Sequence, residues 1–363
     1  MSIILFIVIL GILVFVHELG HFLFAKLFGI RVDEFGFGYP PRMFKMFRWR
    51  GTDFTMNWIP FGGFVKIFGE ADDGRKLNEE EKKVSLVHKP RWQQMLVMFG
   101  GILFNILFAW ILFSSLFVYG ISSPVSLAPQ NYHFQKTDFT IISVLEKSPA
   151  EKDGLLPGDI IKEYYAGDTH ILVKDEKADD LAQFIREKGE DDIGFVVLRD
   201  KKLKNIITHP EKGIVGDDYS LGIAIEKVGL LKLPVHQALF YGAKNSLAMI
   251  KDITFGFGKL ISGKISMDAV SGPVGIVKQV GFAAGIGMSF LIGFTAMLSL
   301  NLAVLNLIPF PALDGGRIFI LFIESIIGKR LNPKIVNWVN VVGFFLLLAL
   351  MLFVTVKDIM KLF

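Results

Sequence analysis

His17 and His21 stand four residues apart in His17-Glu18-Leu19-Gly20-His21. On a helix that spacing puts both imidazoles on one face, one turn apart, where they can bind one zinc ion. The motif lies in an apolar, uncharged run that begins at Ile3 and continues through Val16. An ionisable residue at membrane depth marks a functional site by default. Residue type, spacing and surroundings together point to metal chemistry inside a bilayer, with hydrolysis as the leading reaction.

Zinc hydrolases usually give the metal three protein ligands and keep a fourth position for water. The remaining histidines are His88, His133, His170, His209 and His236, and all fall outside the predicted spans. The better third ligand is Asp314, which ends an uncharged stretch running over 279–313. It closes Asn306-Leu307-Ile308-Pro309-Phe310-Pro311-Ala312-Leu313-Asp314. Two neutral imidazoles and one carboxylate would bring Zn2+ to a net charge of about +1. Pro309 and Pro311 remove backbone donors and prevent a regular helix there. The polar groups this frees, with the Asn306 amide, require surrounding protein or a hydrated pocket. Taken alone, Asp314 reads equally well as a helix cap or as a partner of Arg317. Taken alone, the two histidines could be core residues bonded to neighbouring spans. The two motifs together favour zinc held by His17, His21 and Asp314.

The elements that must hold these residues are read from hydropathy. The chain has 363 residues, 52% hydrophobic and only 20% charged, which marks an α-helical polytopic membrane protein. Its net charge of +4 is slight and scattered, and argues against a nucleic-acid partner. The absence of cysteine excludes disulfides, thiolate ligands and a cysteine nucleophile. About four transmembrane helices are expected, over 3–24, 95–120, 287–308 and 336–356. The first lacks a basic leader and a small-residue cleavage site, so it reads as a span rather than a signal peptide. A shorter apolar piece, 318–327, is broken by Glu324 and reads as a re-entrant or interfacial helix. Lys and Arg concentrate over 26–91 and in the short loop holding Lys329, Arg330 and Lys334. Both loops are therefore expected in the cytoplasm, with both termini and the middle segment outside.

The sequence predicts four regions. Residues 1–125 form an N-terminal membrane core, and 127–228 form a less hydropathic inserted domain with short strands at 140–144 and 194–198 and a helix at 181–188. Residues 229–280 form a linker whose 236–263 part is amphipathic, lying on the membrane or packed on the middle domain. Residues 281–363 complete the membrane core. Within the first region, 52–68 reads as an irregular strand, turn and strand interrupted by Pro60 and Gly62-Gly63, preceded by a Gly-rich turn at 36–40. Residues 72–83 read as a charged linker or short helix. A spanning substrate hides its backbone in its own hydrogen bonds and must unwind before attack. Gly62, Gly63 and Val65 are expected on an edge able to pair with the freed backbone.

The chain resembles the site-2 proteases, the intramembrane zinc metalloproteases, and most nearly their bacterial RseP-like branch. The resemblance runs through His17-Glu18-Leu19-Gly20-His21, Gly36-Phe37-Gly38, Gly62-Gly63-Phe64-Val65-Lys66, Ser271-Gly272-Pro273-Val274-Gly275 and the 306–315 stretch. Residues 148–159 are similar to PDZ domains of that branch. The resemblance implies zinc held by His17, His21 and Asp314, with Glu18 as general base. It implies that Asn306, Pro309 and Pro311 contact substrate, and that the active site lies towards the cytoplasmic face of a bacterial inner membrane. It also implies an extracytoplasmic PDZ domain that binds a peptide or chain end, or excludes bulky substrates. Members with two tandem PDZ domains differ from this chain, which has room for one. Substrates by resemblance are single-span membrane proteins, such as anti-sigma factors or signal-peptide remnants. The competing readings are a zinc transporter or sensor using the same ligands, and a silent membrane scaffold that recruits partners. No internal repeat supports a transporter, and the full set of proposed active-site residues speaks against a scaffold.

Overall fold

The computed structural model describes all residues except 71–76, 130, 131, 133, 135, 146, 174–177, 200, 201, 215–217, 267–269 and 361–363, and describes 60, 61, 127 and 178 by backbone only. His133 and the 72–76 part of the charged linker therefore lie outside the described residues. The chain begins with α1 (Ser2–Leu27), β1 (Val32–Trp49), β2 (Thr52–Ile67), α2 (Glu79–Val84) and α3 (Arg91–Tyr119). There follow β3 (Ile121–Pro124), β4 (Thr137–Val144), α4 (Pro149–Lys152), β5 (Ile160–Ala166), β6 (Thr169–Leu172), α5 (Ala178–Glu187), β7 (Ile193–Arg199), β8 (Lys202–Thr208), β9 (Glu211–Lys212), β10 (Tyr219–Ser220) and β11 (Ile223–Leu231). It closes with α6 (Val235–Ile261), α7 (Pro273–Ile286), α8 (Met288–Leu307), α9 (Asp314–Ile327) and α10 (Pro333–Met360). Two units emerge, Met1–Val118 with Pro234–Phe363, and Tyr119–Leu233.

In the first unit, α1, α3, α8 and α10 are long and apolar enough to cross a membrane. A hydrocarbon core about 30 Å thick needs about 20 helical residues, and Pro or Gly at the helix ends sets where each helix starts or stops. The helix α1 is packed along its whole length. Its first half, Ile9 and Leu13, meets Val280, Ala283 and Leu291 of α7 and α8. Its second half, Phe22 and Ala25, meets Phe35, Val65 and Ile67 of the sheet and Val97 and Met98 of α3. The helices α1 and α3 touch backbone to backbone, since a Cβ added at Gly20 would fall 2.2 Å from the Gly100 carbonyl oxygen. Glycines permit that approach where lipid offers no hydrophobic drive for association.

The sheet differs from the sequence reading. Residues 52–67 form one strand, β2, and its partner is β1, in which the expected 36–40 turn is part of the strand. Arg50 and Gly51 turn the chain between them with φ of 45° and 80°, the left-handed pair a tight hairpin requires. Gly62, with φ 78°, bends β2 back, so its two ends flank the start of β1: Phe35 faces Phe54 on one side and Val65 on the other. Alternation alone could not reveal this, because the bend places both halves of β2 against the same stretch of β1. The row 63–67 is outermost, and among the described residues it pairs only with 32–37. Beyond the sheet, Asn78 and Glu81 form a capping box that starts α2.

The helix α6 covers the expected amphipathic stretch and packs against the membrane helices α3 and α8. Trp110 Nε1 of α3 donates to the Leu239 carbonyl at 2.8 Å, and Gly242 seats against Ser114. Its buried residues Ala238, Gly242 and Ser246 recur every fourth position, one helical stripe. The helix α7 sits in what reads from sequence as linker; Lys278 interrupts the apolar run that would have announced it.

The second unit orders its strands β3-β11-β4-β5-β7-β8, with β6 beside β5. Phe139, Ile141, Leu155, Ile161, Phe195 and Leu221 fill its core, closed by Leu181 and Phe184 of α5. Asp159, 1% exposed, receives both the Arg199 guanidinium and the Leu156 N–H. The strands that enter and leave the unit are zipped together, Ile121 opposite Leu231 and Pro124 opposite Val228.

Candidate metal centre

His17 and His21 are buried on the face of α1 that meets α3. Asp314 arrives from the far end of the chain. After α8 stops at Leu307, the Pro309–Pro311 segment turns the chain, and Asp314 opens α9. The turn is tight because Gly315 and Gly316 press on it: a Cβ at either would fall 2.4 Å or less from the carbonyl oxygens of Leu307, Ile308 or Phe310. Gly343 of α10 in turn admits Pro311, whose Cβ would lie 2.5 Å from a Cβ at that glycine.

The three side chains converge. His17 Nε2 lies 2.9 Å from Asp314 Oδ2, His21 Nε2 lies 3.3 Å from the same oxygen, and the two Nε2 atoms are 3.2 Å apart. Ligand atoms about 2.0–2.1 Å from a tetrahedral zinc lie about 3.3 Å from one another, so the observed triangle matches one face of such a site. The donor set, two imidazoles and one carboxylate, is also the borderline nitrogen and oxygen set that zinc accepts. Asp314 belongs to the first turn of α9, where the helix dipole favours it. Its partners are nevertheless the imidazoles, and Arg317 is engaged elsewhere, donating to the Glu70 carboxylate and carbonyl at 2.7 Å each.

The α3 helix orients the imidazoles. His21 Nδ1 donates to the Val97 carbonyl at 2.8 Å, which leaves Nε2 with its lone pair towards Asp314. His17 Nδ1 lies 3.1 Å from the Asn105 amide. Gly101 supplies the space beside both rings: a Cβ there would fall 2.5 Å from His21 Nε2 and 2.8 Å from His17 Nε2. The signals for these two residues exist in the sequence, a Gly pair and one amide within an apolar span, but linear order does not say which ring they face.

Glu18, half-buried, reaches the sheet and lies close enough to His21 and Asp314 to interact with their charges. Its Cγ lies 3.9 Å from the position of a Cβ on Gly63, and its carboxylate takes a hydrogen bond from the Val65 backbone. Gly62 lies between the Tyr39 ring and Val14. The structure thus brings Gly62, Gly63 and Val65 to the level of the histidines. Asn306 is half-buried at the end of α8, Pro309 is exposed and Pro311 is half-buried against α10.

The sequence model of Peptidase family M50 matches residues 5–350. The chain belongs to peptidase family M50. A Clostridium perfringens homologue named for zinc metalloprotease activity is 35% identical, covering 96% of this chain and 95% of its own. Zinc metalloprotease RasP of Geobacillus kaustophilus is 30% identical, covering 100% of this chain and 98% of its own. Regulator of sigma-W protease RasP of Bacillus subtilis is 28% identical, covering 100% and 99%. This M50 protein is an intramembrane zinc metalloprotease with Zn2+ as its cofactor.

Proposed function

We propose that His17, His21 and Asp314 hold the zinc and that Glu18 moves the proton during hydrolysis of a peptide bond in a membrane-spanning substrate. The observation that carries this reading is the triangle of Nε2, Nε2 and Oδ2 atoms, with edges of 2.9, 3.2 and 3.3 Å, one residue away from Glu18. When bound, zinc supplies Lewis acidity at neutral pH, acidifying water and polarising a carbonyl. The Glu18 carboxylate accepts the proton of the attacking water and returns it to the amide nitrogen as the C–N bond breaks. Burial of the site excludes bulk water and strengthens each of these interactions.

The substrate is a single-span membrane protein in the lipid bilayer, unwound near the site and laid along the 63–67 row. Among the described residues that row is paired with a strand on one side only, and its Val65 N–H reaches Glu18. Asn306, Pro309 and Pro311, in the α8 to α9 turn that delivers Asp314, hold substrate backbone. The name of the Bacillus subtilis relative, a regulator of sigma-W, supports membrane-bound regulators such as anti-sigma factors as one substrate class. The second unit acts as a PDZ domain: the 223–227 edge of β11 away from β4 runs near α5, which suits a peptide strand or chain end. Loop charge supports a bacterial inner-membrane protein with the site towards the cytoplasm and the second unit and both termini outside.

The test uses purified protein in detergent with a helical single-span substrate. Glu18→Gln keeps stoichiometric zinc and loses cleavage, whereas Asp314→Ala loses both. Full cleavage by Glu18→Gln would remove its assigned role, and undiminished zinc in Asp314→Ala would remove that ligand. Val65→Pro, which deletes the outward N–H that also donates to Glu18, slows cleavage while zinc is kept; a parental rate would dismiss strand pairing at this row.

A further inference from the structure

Asn105 is 0% exposed, in the middle of α3. Its position is fixed from a third helix, because Ser299 Oγ of α8 donates to the Asn105 carbonyl at 2.8 Å. Its amide Nδ2 lies 3.1 Å from His17 Nδ1. Its Oδ1 is buried and has no hydrogen-bond partner among the described residues.

The two halves of this amide demand different imidazoles. When Nδ2 donates to Nδ1, the His17 proton resides on Nε2, the nitrogen facing Asp314. A neutral imidazole has one lone pair for ligation, and in that tautomer it points at Asn105 and away from Asp314. A half-turn about the Cβ–Cγ bond exchanges Nδ2 and Oδ1. The oxygen that lacks a partner then accepts from Nδ1–H, and the Nε2 lone pair faces Asp314 and His21.

We propose that Asn105 is the positioning residue that selects the ligating tautomer of His17, with Oδ1 accepting the Nδ1 proton in the zinc-loaded protein. The inference rests on His17 being a zinc ligand. It makes α3 the source of both ring orientations, since His21 is held by the Val97 carbonyl, a group that can only accept. The carbonyl fixes one ring outright, whereas the amide serves either tautomer of the other by turning over. Asn105 touches neither substrate nor metal in this account.

The experiment measures zinc affinity by chelator competition on the full-length protein in detergent. Asn105→Leu, similar in size and without an acceptor, binds zinc about 10–100-fold more weakly. Asn105→Asp, which presents only acceptors, restores most of that affinity. Asn105→Ala repeats the test without the Leu bulk. Visible absorption of the Co2+-substituted protein shifts in the Leu and Ala variants and stays near parental in the Asp variant. Parental zinc affinity in both Leu and Ala variants overturns the proposal. Equal loss in the Asp and Leu variants, the result of a packing role alone, overturns it too. His17→Ala separates the two levels: if it binds zinc as tightly as the parent, the metal-centre reading itself fails, whatever Asn105 does.

Discussion

Around the three proposed zinc ligands, atoms that would not touch the metal set where the imidazoles sit. The imidazoles of His17 and His21 are pinned on one side by Asn105 and the Val97 carbonyl, and they face Gly101 on another. A methyl group at 101 would sit 2.5 Å from His21 Nε2 and 2.8 Å from His17 Nε2. Overpacking of this kind costs about 1–3 kcal/mol, and 1.4 kcal/mol is tenfold in binding. Gly101→Ala should therefore weaken zinc binding about tenfold or more, read by chelator competition; unchanged affinity would show that the rings yield freely. The His-Glu-x-x-His pair and Asp314 are legible as a candidate site only when residue type, spacing and apolar surroundings are read together, because ionisable groups inside an apolar run are expensive and rare. Asn105 and Gly101 are not, because an amide or a glycine in a span carries no such penalty and has many structural uses.

The elements around the site are tied to one another by a small number of polar contacts. Arg317, one turn after Asp314 on α9, donates twice to Glu70, just beyond the outer row of β2. This joins the helix that carries Asp314, the proposed third ligand, to the strand proposed to pair with substrate. Arg317→Ala should slow cleavage of a helical substrate severalfold without changing zinc content, and adding Glu70→Ala should slow it little further, the signature of a shared contact. Fully additive losses would mean that the two residues act separately. In the second unit, buried Asp159 and half-buried Arg199 form a bidentate pair that also fastens the 154–159 turn. Removing Asp159 leaves the Leu156 N–H and the Arg199 guanidinium without their carboxylate, at about 1–3 kcal/mol, so Asp159→Ala should lower the melting temperature of that unit, as followed by circular dichroism. The helices were readable from hydropathy because twenty apolar residues have few other uses. The sheet was only half readable, because the row order comes from a bend at Gly62 that alternation does not encode.

The chain reads as a membrane protease with a second unit inserted into it. Ile121 and Leu231 are paired across β3 and β11, so the ends of the insert are one strand spacing apart, about 4.8 Å. Residues 119–233, with their own core, should fold alone and melt in a single transition. A chain in which a short Gly-Ser linker replaces them should keep its zinc and cut substrates with larger ectodomains. Unchanged length preference would count against a filtering role for the insert. Chelation offers a second separation. Zinc at 100 times its dissociation constant stabilises the unit that binds it by about 2.7 kcal/mol. Its removal should lower the melting temperature of the membrane unit and leave that of the isolated 119–233 unit unmoved; a shift in the isolated unit would place a metal elsewhere.

From the linear chain one learns the spans, the pair of imidazoles and the lone carboxylate, since each is marked by what a bilayer tolerates poorly. That Asp314 lies 2.9 Å from His17, 297 residues away, that Gly63 and Val65 pass beside Glu18, and that Asn105 and Gly101 shape the histidine pocket were decided by packing. These depend on how closely glycine-lined helices approach and on where β2 bends, and both are properties of surfaces in contact that no single segment carries.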